Sequence, residues 1–148
     1  VSIGFEKEES VKPFTIGKVA QATGLGVETI RFYERRGLIT QPRRPHDGGA
    51  RNYGEKTVAR LRFIRQGREI GFSLAEISDL LSMRDSGAIG CESVRARAIS
   101  KRQEIDQKME TLSHMGTVLD DLIARCPGRG DLANCSIFEA MDGTPECR

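Results

Sequence analysis

Apolar positions early in the chain recur at helical steps. Ile16, Val19 and Ala20 form one face behind Thr15, whose hydroxyl can cap a first turn, so a short helix is predicted there. It stops at Thr23-Gly24-Leu25-Gly26, and a second helix is predicted over 27–36, ended by Gly37. Two short helices about a glycine turn read as a helix-turn-helix. Residues 40–54 break the period: Pro42, Pro45, Gly48 and Gly49 lie among Arg43, Arg44 and Arg51, which predicts a loop or a small β-ribbon. A basic ribbon directly after a helix-turn-helix is the winged variant of that motif.

Helical spacing resumes with Val58, Leu61 and Ile64. Ser73-Leu74-Ala75-Glu76 then has the form of a capping box, opening a run with Leu74, Ile77, Leu80 and Leu81 inward. Residues 84–90 read as a glycine-containing linker. Beyond it no Gly or Pro occurs from Cys91 to Met115, and Ile105, Met109, Leu112, Gly116, Leu119 and Ile123 alternate at steps of four and three. That is a coiled-coil seam, which ends at Cys126-Pro127-Gly128 and leaves a tail with one more short helix over 136–141. A long helix with an apolar seam is not stable alone in water, so the seam predicts a second subunit. The expected class is mainly α. It divides into an arm (1–13), a winged helix-turn-helix domain (14–83), a linker (84–90), a dimerisation helix (91–126) and a metal-binding loop with its tail (127–148).

With 148 residues, no Trp and few aromatics, the chain suits one small domain plus an elongated helical extension rather than a large core. No apolar run approaches membrane-spanning length, and the opening stretch lacks the apolar centre of a secretory signal, so the expected location is the cytoplasm, with no membrane partner. In a reducing compartment four cysteines point to metal binding or redox sensing before a disulfide framework. The net charge of +2 hides an asymmetry. Residues 12–68 carry thirteen Lys/Arg against four Asp/Glu, whereas residues 69–148 carry nine against fourteen. The first part is suited to a polyanion.

Thr15-Ile16-Gly17, Glu28-Thr29-Ile30-Arg31-Phe32-Tyr33-Glu34 and Arg51-Asn52-Tyr53 resemble the winged helix-turn-helix of MerR-family regulators. Ile64-Arg65 and Gly71-Phe72-Ser73-Leu74-Ala75-Glu76-Ile77 resemble that family's next two helices. The resemblance implies a homodimer, joined through an antiparallel coiled coil, that binds double-stranded promoter DNA between two promoter elements. It would repress without metal and distort the DNA for RNA polymerase when metal binds. Thr29, Arg31 and Tyr33 of the recognition helix and Arg51 and Tyr53 of the wing would touch DNA, mostly at phosphates. Two departures stand out: Gly26, where a Ser, Asn or Asp cap would be better, and the length of the wing segment.

A helix over 91–126 would separate its end cysteines by roughly 50 Å, too far to share an ion within one chain. In an antiparallel pair, Cys91 of one subunit meets Cys126 and Cys135 of the other, giving two three-thiolate sites per dimer. Such a soft donor set favours thiophilic ions over Mg²⁺ or Ca²⁺. Gly90-Cys91-Glu92 and the step from Cys126 to Cys135 resemble the mercury-sensing branch, which implies Hg(II) as effector, with Pb(II) or Cd(II) as alternatives. His46 and His114 read as surface residues, and Cys147, in the C-terminal tail, as an inert thiol. A rival reading is a metal-sequestering coiled-coil protein. An enzyme is not expected, because no phosphate-binding glycine loop, catalytic triad or metal-hydrolase motif is present.

Overall fold

The computed structural model describes residues 13–87 and 90–143. The N-terminal arm up to residue 12, residues 88 and 89 of the expected linker, and Cys147 lie outside the described residues. The elements are α1 (Ile16–Thr23), α2 (Val27–Arg35), α3 (Glu55–Glu69), α4 (Leu74–Ser86), α5 (Cys91–Arg125), a 3₁₀ turn (Leu132–Asn134) and α6 (Ser136–Met141). They form two units, 1–94 and 95–148.

In the first unit Thr15 caps α1 as expected, its hydroxyl accepting from the Lys18 N–H at 3.4 Å. Gly24 ends the helix at φ 68, where its N–H donates to the Ala20 carbonyl. The left-handed conformation costs a residue with a Cβ roughly 1–2 kcal/mol, and glycine escapes that cost. Helix α1 packs against α2 and α3, and α3 against α4. Val19, Ile30, Leu61, Ile64, Ile77 and Leu81 are fully buried in the core they share. Burial of each such side chain is worth roughly 1.5–3 kcal/mol.

The capping box of α4 forms in both directions: Ser73 Oγ accepts from the Glu76 N–H, and a Glu76 carboxylate oxygen accepts from the Ser73 N–H at 2.7 Å. The helix then runs to Ser86, into the segment expected to begin the linker at residue 84, and stops at Gly87 with φ 61. Three neighbouring side chains explain the extension. Met83 is buried, the Arg84 guanidinium lies 4.8 Å from the Phe63 ring centroid, and Asp85 pairs with Arg60 at 2.7 Å.

Residues 40–54 form a loop, the first of the two forms expected. Among the described residues there is no strand, only an isolated antiparallel bridge between Phe14 and Tyr53, with N···O distances of 2.9 and 2.7 Å. Pro42 and Pro45 have no N–H to offer a ladder, and Gly48 and Gly49 turn back on Pro45 and Asp47.

Helix α5 continues without a break through Gly116. Its 35 residues rise about 52 Å. Of the seam positions, Met109, Leu112, Leu119 and Ile123 are exposed, Leu112 by 65%. After α5 the chain turns through the 3₁₀ segment into α6, and Ser136 Oγ donates to the Leu122 carbonyl at 3.3 Å. Among the described residues no helix is long and apolar enough to cross a membrane.

Candidate functional site

Helix α2 has two faces. Ile30 and Tyr33 pack inward, which turns Arg31 and Arg35 outward. Gly26 gives this helix no side-chain cap; its carbonyl accepts from the Ile30 N–H at 3.1 Å. Between α2 and the 40–54 loop lies an open cleft of about 730 Å³, with Arg31, Glu34 and Arg35 on one wall and Arg44, Arg51 and Tyr53 on the other. Four guanidiniums against one carboxylate make a strongly positive recess.

Arg51 Nε is buried and has no hydrogen-bond partner among the described residues. A buried donor left unpaired is costly, so an acceptor from outside the chain would satisfy it. Arg31 is exposed and only loosely paired with Glu28, at 3.8 Å. Both are residues from which the sequence expects DNA contacts, and Thr29, a third, is half-buried on α2.

The two tyrosines are placed differently from that expectation. Tyr33 is 6% exposed and belongs to the core. Tyr53 is 2% exposed, and its hydroxyl donates to a carboxylate oxygen of Glu34. Burial first, and then the bond to Glu34, push the Tyr53 phenol up to about 12. As the structure stands, the Tyr53 hydroxyl is therefore committed to Glu34. Glu34, Gln41, Arg35 and Arg44 were not singled out from the sequence, because their charge or polarity alone does not say which surface they face.

Four arginines of α3 also hold backbone carbonyls of neighbouring segments. Arg60 Nε donates to the Leu38 carbonyl at 2.6 Å, Arg62 to that of Ala22, Arg65 Nη1 to that of Thr23 at 2.8 Å and Arg68 Nη1 to that of Phe72. Two of these bonds close the C-terminal turn of α1, where carbonyls lack helical partners.

The cysteines form a second candidate site. Cys91 is the first residue of α5 and is exposed; Cys126 follows the last residue of that helix, and Cys135 precedes α6, both half-buried. The Cys126 and Cys135 side chains lie close enough for Cys126 to act on the Cys135 thiol. The backbone N–H groups of Phe138 and Ile137 hold the Cys135 thiol below its ordinary pKa, and Cys126 adds to that effect. Among the described residues no cluster of three or more His, Cys, Asp or Glu could hold an ion within one chain. The second unit thus brings two thiols together.

Residues 14–84 match the family described as "MerR HTH family regulatory protein", and residues 58–122 match "MerR, DNA binding". The chain is 40% identical over 141 residues to the mercuric resistance operon regulatory protein of Serratia marcescens, covering 95% of this chain and 96% of that one. Its fold is similar to that of the transcription regulator PbrR691 from Ralstonia metallidurans CH34 in complex with lead(II). That match has a TM-score of 0.74 at 33% identity, over 85% of this chain and 97% of the other. It is also similar to the dual function transcriptional regulator MerR from Bacillus megaterium MB1 in complex with mercury(II), with a TM-score of 0.65 at 37% identity, over 87% of this chain and 99% of the other. With a helix-turn-helix unit, a long following helix and this degree of identity over nearly its whole length, the chain belongs to the MerR family of helix-turn-helix regulatory proteins.

Proposed function

We propose that this protein is a metal-responsive transcriptional regulator that binds promoter DNA as a homodimer. In this reading it represses transcription without metal. With a thiophilic ion, Hg(II) first, it distorts the DNA so that RNA polymerase starts on metal-resistance genes. The observation that carries the metal part is the juxtaposition of Cys126 and Cys135 after the last residue of a helix that begins at Cys91. Two soft donors, one already biased toward thiolate, suit a thiophilic ion, and Cys91 of an antiparallel partner would complete a three-thiolate set.

The exposed seam of α5 supports the dimer, since Met109, Leu112, Leu119 and Ile123 lie open to solvent in the single chain. The cleft between α2 and the loop supports DNA as partner: its arginines would take phosphates, and Arg51 Nε would find its acceptor there. Metal binding shifts the dimer between two DNA-bound forms only by its different affinity for each, and a site that closes across subunits supplies that difference. Pb(II) is the second reading, favoured by the likeness to the lead(II) complex.

The test is titration of the reduced, metal-free full chain with Hg²⁺, Pb²⁺, Cd²⁺ and Zn²⁺, read by thiolate-to-metal absorption, beside transcription from its own promoter. Two ions per dimer, a preference for Hg²⁺, loss of binding in Cys91→Ser, Cys126→Ser and Cys135→Ser, and metal-dependent transcription are expected. Normal binding by Cys91→Ser would overturn the intersubunit site. Metal-loaded protein that leaves transcription unchanged would overturn the regulator reading in favour of sequestration.

A further inference from the structure

Among the described residues Glu34 is the one carboxylate lining a cleft with four arginines, on the surface where DNA would dock. As a charge it opposes a polyanion. Among the described residues it forms no ion pair within 4 Å with Arg31, Arg35, Arg44 or Arg51. Its oxygens are used otherwise: one accepts from Gln41 Nε2 at 3.0 Å, the other from the Tyr53 hydroxyl. Gln41 stands at the entry of the loop and Tyr53 at its exit.

We infer that Glu34 is a positioning residue of the DNA-binding surface, holding both ends of the 41–53 loop against the recognition helix so that Arg51 meets DNA in one fixed register. This rests on the DNA-binding reading proposed above. The loop needs such a tie because no strand ladder holds it. The bridge between Phe14 and Tyr53 fixes its exit to the chain before α1, and the hydrogen bonds of Glu34 tie it to α2. Arg51 lies two residues before Tyr53, so freedom gained by Tyr53 passes directly to the arginine whose buried Nε needs an acceptor. A carboxylate that accepts from two donors on a loop restrains that loop more firmly than a neutral acceptor would.

The experiment measures binding of the full-length protein to a duplex of the promoter region beside its gene and to a scrambled duplex of equal length. It compares wild type, Glu34→Ala, Glu34→Gln, Tyr53→Phe and the Glu34→Ala/Tyr53→Phe double variant. Glu34→Ala is expected to lose about ten- to a hundredfold in affinity for the promoter duplex, the scale of a hydrogen bond to a charged group, while binding the scrambled duplex at least as well as wild type. Glu34→Gln, which keeps an acceptor for Tyr53 without the charge, should retain most of the promoter affinity. Tyr53→Phe keeps the buried ring and should lose promoter preference as Glu34→Ala does, with the double variant losing no more than either single one.

Equal gains on both duplexes for Glu34→Ala and Glu34→Gln would show the carboxylate to act only as a charge and overturn the inference. So would wild-type behaviour of Glu34→Ala. Wild-type protein without preference for the promoter duplex would overturn the regulator reading itself, and this inference with it.

Discussion

The guanidinium of Arg65 donates to the carbonyl oxygen of Thr23 at 2.8 Å, and so a side chain of α3 closes the last turn of α1. The Thr23 hydroxyl is turned back onto the Val19 carbonyl at 2.7 Å, which satisfies a nearly buried polar group. Between these bonds Gly24 takes its left-handed turn, the hinge point that sets α1 against α2. A Cβ built on Gly24 would stand 2.2 Å from Arg65 Nη1. Helix-turn-helix geometry therefore depends on a contact between residues forty-two positions apart.

Gly24→Ala should destabilise the protein by about 1–2 kcal/mol from backbone strain, plus whatever the displaced Arg65 loses. Arg65→Ala alone should cost about 1 kcal/mol or somewhat more, by uncapping the Thr23 carbonyl. In the double variant the clash has no partner, so the two costs should add to less than their sum. Chemical denaturation of the four proteins measures this; strict additivity would mean that the Arg65 side chain moves aside freely.

Tyr53 predicts an alkaline limit to stability. Its folded pKa lies at about 12, above the ordinary value of 10.0. Below the ordinary value both folded and unfolded states keep the proton, and the full stability is present. As pH rises through the window between 10.0 and about 12, the unfolded chain ionises and the folded one resists, so stability falls. Urea unfolding at about pH 9 and about pH 11 should show a larger loss for wild type than for Tyr53→Phe. Equal losses would mean that the phenol is not held protonated by its burial and by Glu34.

Most helices were legible because their buried faces are local patterns. Val19 with Ala20, Leu61 with Ile64, and Ile77 with Leu81 are set by spacing alone, and Thr15 and Ser73 announce their caps. The end of α4 was not legible, since Arg84 and Asp85 are kept helical by Phe63 and Arg60, more than twenty residues earlier. At the site, the positions of Arg31 on the second helix and Arg51 in the following loop were legible, but the recess they line was not. The burial of Tyr33 and Tyr53 was not, because an aromatic residue in a recognition motif can face either the core or the ligand. The separation of Cys91 from the other thiols followed from helix length. The nearness of Cys126 and Cys135 depends on how the chain turns through the 3₁₀ segment, which no spacing dictates.

The seam of α5 predicts which substitutions separate the subunits. Leu119→Glu places a charge in the stripe formed with Leu112 and Ile123, and a symmetric dimer would meet it twice. Sedimentation should find this variant monomeric at concentrations where wild type is dimeric. Asp120→Ala, one position round the helix and off the seam, should leave the dimer intact. If both variants stay dimeric, subunits associate through another surface.

Cys135 predicts its own reactivity. Its pKa is lowered first by the N–H groups of Phe138 and Ile137 and then by Cys126, so thiolate accumulates at a lower pH than for an ordinary thiol. Because the folded value is the depressed one, this group adds stability fully above the unfolded pKa and loses that contribution as pH falls through the folded pKa. Alkylation by iodoacetamide, resolved by residue in a mass spectrometer across a pH series, should give Cys135 a midpoint below the ordinary thiol value. Cys126→Ala should raise that midpoint without restoring it, since the two backbone donors remain. A midpoint already at the ordinary value in the metal-free wild type would mean that the N–H groups ahead of α6 do not reach the sulfur, and the bias of this pair toward metal-binding thiolate would be lost with them.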